Sequence, residues 1–386
     1  MMNLKKQGIG ILIIAMSFGT AWAIRGQFGH EQGAAWAGAI AGLVLVLVSQ
    51  RKDWYSKMIV VALASAVGWG AGGMISYGMV VGYGRADNFI NVFYGLGMLF
   101  VIGGLFGLLG GGLVGMVFDS TENKKVKWGA LISEMVAGGL LSYFFLIEQI
   151  GFKMTPPRSE AWALILGAGL AMLWHMAREI RNSPIRTAIF SALGGGFGFA
   201  FGNFLQVVGN ALEISFNMWN VMEYSIGFFG GSGLAYGIFS SKWPVEDTKV
   251  KNWTNMVGLF ILVVFIPLMV YRESLTYEHL IKRLGDVGSV ESVALISTIC
   301  VVAILILTAV VLFWKLSSGR YLKKDITFFL FVYLTTYTLL SYIVTGIFAG
   351  EMSLNHHLYI LNIAIIFLLV QNGKWKKSGV VSESIN

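Results

Sequence analysis

Apolar positions in this chain come in long runs broken by short polar segments. A transmembrane helix needs about 20 mostly apolar residues to cross a hydrocarbon core of ~30 Å. Twelve runs approach that length: 8–24, 33–49, 58–80, 92–118, 128–147, 161–177, 187–209, 221–240, 253–271, 292–314, 326–348 and 357–371. The pattern predicts an all-α polytopic membrane protein with about twelve transmembrane helices.

Charge tests that count, because the loops on the cytoplasmic side should hold the excess of lysine and arginine. With both termini inside, these loops and tails carry Lys5 and Lys6; Arg51, Lys52 and Lys57; Lys124, Lys125 and Lys127; Arg178, Arg181 and Arg186; Lys242, Lys249 and Lys251; Lys315, Arg320, Lys323 and Lys324; and Lys374, Lys376 and Lys377. That is 21 of the 28 basic residues, and every inner segment holds at least two. Topology therefore accounts for the net charge of +8, which makes no case for nucleic acid. The expected location is a plasma or bacterial inner membrane. Lys5, Lys6 and Ala21-Trp22-Ala23 imitate a cleavable secretory signal, yet the apolar run is slightly long and the first helix is expected to be retained.

A shift of 126 residues superposes Ala35-Trp36-Ala37 on Ala161-Trp162-Ala163, Ser65 on Ser191, and Gly68, Gly70 and Gly72 on Gly194, Gly196 and Gly198. It also places Asp87 on Glu213 and Asn91 on Asn217. Near the fourth and eighth runs the shift is about 120, aligning Gly107 with Gly227 and Gly111 with Gly231. Four spans per copy make the repeats parallel. The domain reading is a first four-helix repeat (1–126), a second (127–250) and a C-terminal four-helix bundle (251–386) with a short cytoplasmic tail. Twelve spans are also found in the major facilitator superfamily, but there they divide six and six with a basic signature loop after the second. Here that loop reads Gln50-Arg51-Lys52-Asp53-Trp54, and the likeness ends at the number.

Composition sharpens this picture. The chain is 56% hydrophobic and 12% charged, where globular chains carry about 25% charged residues. One cysteine, Cys300, excludes a disulfide scaffold. Of the 49 glycines, 41 fall in residues 1–240. Gly103, Gly107, Gly111 and Gly115 line one face of the fourth run, which suits close helix packing in lipid; broken or sliding helices are the alternative. Gly68-Trp69-Gly70-Ala71-Gly72-Gly73 fits G-x-G-x-x-G only formally, because no strand precedes it. Five scattered histidines offer no metal-site spacing. No metal and no cofactor are expected. Between the ninth and tenth runs, Tyr277, Leu280, Ile281 and Leu284 have the spacing of a short amphipathic helix.

Polar chemistry concentrates in a few places. Arg25, Gln27, His30 and Glu31 share the nine-residue outer turn between the first two runs. This turn reads either as a site for an anion or sugar, with Arg25 holding a carboxylate bidentately, or as a turn closed by an Arg25–Glu31 ion pair. Arg85, Asp87 and Asn91 enter the fourth run; Glu213, Asn217, Asn220 and Glu223 enter the eighth, where caps and dipole partners are the plain alternative. Asn203, Gln206 and Asn210 form a polar stripe in the seventh run, lining a cavity or a hydrogen-bonded seam. Glu134 in the fifth is a candidate proton-coupling group, or a satisfied structural carboxylate. The expected substrate-binding set is thus Arg25, Gln27, His30, Glu31, Arg85, Asp87, Asn91, Asn203, Gln206, Asn210, Glu213 and Asn217.

Three functions follow. The first is a secondary transporter or facilitator, with a small polar solute, anionic or sugar-like, crossing between the two glycine-rich repeats. The second is a membrane enzyme transferring a group to or from a lipid or glycan at an outward-facing site, with His30 as general base, Glu31 orienting it and Arg25 stabilising an anion. The third is a structural subunit. The bilayer, a small-molecule solute and a second copy of the chain are the partners this admits.

Overall fold

The computed structural model describes residues 4–28, 30–156, 160–246, 250–285, 289–319, 321–372 and 382–383, apart from the side chains at 4–6, 30 and 382–383. The side chains of Lys5, Lys6 and His30, and the whole of Arg158, Lys249, Arg320, Lys374, Lys376 and Lys377, lie outside that description.

Every apolar run is helical: α1 (Leu4–Arg25), α2 (His30–Ser49), α3 (Met58–Gly72) with its short continuation α4 (Gly78–Gly84), α5 (Phe89–Asp119), α6 (Trp128–Gln149), α7 (Ala161–Arg178), α8 (Asn182–Ala211), α9 (Met218–Phe239), α10 (Asn252–Ser274), α12 (Val290–Leu316), α13 (Lys323–Thr345) and α14 (Leu354–Asn372). Between α10 and α12 stands α11 (Tyr277–Arg283), with Leu280 buried as the amphipathic spacing predicts. Among the described residues ten helices are long and apolar enough to cross a membrane; α3 is too short, and α9 is not among the ten. The chain is an all-α protein with the build of a multi-pass membrane protein. The one extended pairing among the described residues joins Trp243–Pro244 to Ser382–Glu383.

Six helices close a ring in the order α1, α2, α3, α5, α8, α9 and back to α1. Small residues make the joints. A methyl group on Gly107 would overlap the Ser191 carbonyl, one on Gly111 the Ser191 side chain, and one on Gly115 would stand 2.8 Å from Pro184 Cα. Those positions form the predicted stripe of α5, and it faces α8. In the joint of α3 with α5, a methyl on Gly68 would come 2.6 Å from Gly110 Cα. With lipid tails as apolar as leucine, such backbone contact supplies packing energy that the hydrophobic effect does not.

The ring is filled by rings. Trp22 lies 5.5 Å from Trp69 and 5.7 Å from Phe106, with Phe18 and Phe199 against them. All five side chains are fully buried, so the axis is plugged by aromatic groups. Of the predicted breaks, the one that exists falls in the third run. Helix α3 stops at Gly72, residues 73–77 turn, and α4 resumes at Gly78, whereas α5 is continuous over 31 residues.

Outside the ring, α6 and α7 form a hairpin joined through Gly138 and Gly167, resting on α5 and α8. The C-terminal helices pack on the opposite flank: α10 on α2 and α3, α13 on α2, and α14 on α1. They also pack on one another, α12 on α11 and α13, and α13 on α14.

Candidate functional site

The ends of α1, α3 and α9 that lie together bring three polar side chains into the ring just above the plug. Arg25, the last residue of α1, meets Glu223 at 3.2 Å, with both side chains almost wholly buried. The Tyr77 hydroxyl donates to Glu223 Oε1 at 2.9 Å and accepts from Arg25 Nη1. Tyr77 reaches this position because the chain breaks after Gly72 and turns inward. The Arg25 guanidinium also stands 5.4 Å from the rings of Trp22 and Tyr77, a spacing at which the π-faces stabilise the cation.

The turn after α1 is shaped to this cluster. A methyl on Gly33 would meet Arg25 Cγ at 2.9 Å and the Tyr337 hydroxyl at 3.2 Å, and one on Gly26 would reach Glu223 Cγ at 3.4 Å. Tyr337 of α13 donates to the Gly33 carbonyl at 3.1 Å and stacks on Trp36 and Phe28. One turn before Glu223, Asn220 donates to the Ala23 carbonyl at 3.3 Å and to Tyr359 of α14. Two C-terminal helices therefore wall the site. A cavity of about 310 Å³ opens beside it between α9 and α14, lined by Asn220, Tyr224, Tyr359 and Asn362 among others.

Of the residues expected at a site, Arg25, Asn203 and Gln206 are buried. Arg25 pairs with Glu223; Glu31, offered as its partner, makes no ion pair among the described residues. Asn203 donates to Gln206 at 3.3 Å, and its Oδ1 has no hydrogen-bond partner, being lodged against Gly84 of α4. The polar stripe is thus a seam with α4, and Asn210 at its far end is exposed. Gln27 is held by Arg283 of α11, which donates to its carbonyl at 3.0 Å and its side chain at 2.6 Å.

Arg85, Asp87 and Glu213 are exposed, outside the cluster. Asn91 gives its backbone N–H to Asn88, the N-cap of α5, and Asn217 caps α9 through the N–H of Asn220. Of these positions Asn217 takes the capping role, and the α5 cap is the neighbouring Asn88. Glu134 sits on the peripheral hairpin, 3.1 Å from His175 Nδ1 and bonded to Arg178, away from the ring axis. His30 opens α2 next to the cluster; its side chain lies outside the described residues.

Sequence reasoning missed Tyr77 and Tyr337 and grouped Glu223 with the caps. A signal was available for Glu223. It lies five residues inside α9, a full turn beyond capping range, where a charge in lipid is costly. Nothing local marks Tyr77 or Tyr337 among the 14 tyrosines.

No protein-family model, curated protein or solved structure matches the chain. Its chemistry has to be argued from this geometry.

Proposed function

We propose that the protein is a secondary transporter or facilitator for a small polar solute, anionic or sugar-like, with the Arg25–Glu223–Tyr77 cluster as the point where the solute is held. The observation that carries this reading is the ion pair itself, buried within a ring of apolar helices. Desolvating two charges costs more than their attraction regularly returns, and ionisable groups within a membrane most often mark a substrate or ion path. The aromatic plug immediately below supplies an occlusion that must move for a solute to pass.

In this reading all twelve helical runs cross the bilayer, both ends are cytoplasmic, and the cluster faces the outer side. The membrane is a plasma or bacterial inner membrane. Two parallel four-helix repeats are supported by matching clasps at the inner side. Arg51 hydrogen-bonds the carbonyls of Trp243 and Pro244, in the loop after α9. Arg181 does the same to Lys124 and Lys125, in the loop after α5. Lys57 reaches Ser120 and Arg186 reaches Ser240, again at corresponding places. The symmetry fails at the first two helices of each copy: α1 and α2 belong to the ring, while their counterparts α6 and α7 pair with each other outside it. That difference gives the chain one site instead of two.

The test is uptake of labelled small organic anions, sugars and amino acids into proteoliposomes. Wild-type protein is expected to accumulate at least one of them, and Arg25→Ala to lose it. Absence of all uptake, with modification of a lipid or glycan by the purified protein, would favour the enzyme instead.

A further inference from the structure

We propose that the solute is a monocarboxylate and that it travels with one proton, carried by Glu223. This inference rests on the transport reading above and names its substrate class and coupling.

The argument starts from charge. Among the described side chains the buried cluster holds one cation and one anion, whose charges cancel. A carboxylate arriving alone would leave an excess negative charge in a medium where isolated ions are very unfavourable. If the solute carboxylate takes the place of Glu223 on the Arg25 fork, the displaced side chain can stay in the ring only as the neutral acid. Written out, a solute carboxylate, a proton and the Arg25⁺–Glu223⁻ pair give an Arg25⁺–carboxylate pair and Glu223 as the acid; charge and atoms balance. Release on the other side reverses the exchange, and one proton leaves with one anion.

The groups around Glu223 suit this exchange. From α1 it faces Arg25 and from the turn after α3 it faces Tyr77, while the uncharged hydroxyls of Tyr337 on α13 and Tyr359 on α14 bond the Gly33 carbonyl and Asn220. From α8, the uncharged Phe199 stands 5.1 Å from the Tyr77 ring; the side chain of His30 at the start of α2 is not described. Among the described side chains, no second cation contacts Glu223 to hold its charge once Arg25 is taken. Tyr77 already bonds its Oε1 and can accept a hydrogen bond from the acid form.

A second observation points to an anion. The Trp22 indole N–H, one turn below Arg25 and wholly buried, has no hydrogen-bond partner. Buried donors are ordinarily satisfied, and the ring that carries this one has its centroid 5.4 Å from Arg25 Cζ, so a carboxylate or hydroxyl group of a solute held at Arg25 is a candidate partner.

Proteoliposomes loaded with the pH indicator pyranine decide the matter, using lactate and gluconate as probes and glucose and glycine as comparators. Wild-type protein is expected to acidify the lumen as lactate or gluconate enters. Uptake should rise as the outside is made more acidic and should be indifferent to a potassium–valinomycin potential. In Glu223→Gln the pH-driven accumulation should be lost, with exchange of labelled for unlabelled lactate reduced less. The wild-type pH and potential measurements stand even if that variant does not fold. Carboxylate uptake without acidification, or driven by the potential, overturns the proposal. Movement of glucose or glycine alone overturns it too and leaves the transport reading standing. If none of the four moves, both readings fall.

Discussion

At the scale of single residues, the chain places its charges in two kinds of setting. Most basic residues stand at helix ends, where their alternation along the sequence already implied them. Arg25 and Glu223 are different, being 198 positions apart in sequence and almost without solvent. Position in the sequence identified Arg25 as unusual, but not its partner: Glu31 was nearer along the chain, and only closure of the ring brings α9 beside α1. Removing half of this pair should be far costlier than removing both, because a lone buried charge is what destabilises. Glu223→Ala should lower stability by about 3–5 kcal/mol, read as thermal unfolding in detergent. Tyr77→Phe removes a hydroxyl that bridges the pair and should cost about 1–3 kcal/mol; an unchanged melting temperature would show that the bridge contributes nothing.

At the scale of elements, glycine spacing was the most legible signal. The i, i+4 stripe of α5 was visible in the sequence, and it is the face that meets α8. The interruption in the third run was not located beforehand, since Gly72-Gly73 is no richer in glycine than the unbroken Gly110-Gly111-Gly112 of α5. Packing is close at both sites, Gly110 under Trp69 and Gly72 against Phe106, and open space begins only beyond the break, at Gly78 and Gly82. The contrast can be measured within one helix. Gly107→Leu must push α5 from the Ser191 carbonyl and should cost about 1–3 kcal/mol or more, as overpacking does. Gly97→Ala, with nothing close to the added methyl, should be neutral or stabilising by about 0.5–1 kcal/mol, the helix-interior preference for alanine. Equal effects at both positions would dismiss the packing account of the stripe.

At the scale of the whole molecule, the long helices were legible because length and apolarity are local properties; the ring was not, because it depends on which helices touch. The repeat suggested a molecule built of two equivalent halves and an appendage. The C-terminal helices wall the site through Tyr337 and Tyr359, and the ring takes in α1 and α2 but leaves α6 and α7 outside. Topology has its own test in a Cys300→Ser background. Single cysteines at Asp87 and Glu213 should react with an impermeant maleimide on intact cells, and those at Glu122 and Ser318 only after lysis; any exchange between the two groups would refute the twelve-crossing arrangement. The central claim, that the buried pair exists to hold a solute and not to hold the fold, is tested most directly by replacing both charges in Arg25→Met/Glu223→Met. Apolar replacement of a whole buried pair is often neutral or stabilising by about 1–4 kcal/mol. The double variant should therefore melt at or above the wild-type temperature, yet take up no lactate or gluconate in proteoliposomes where the wild type does. Uptake by the double variant at the wild-type rate would contradict the account.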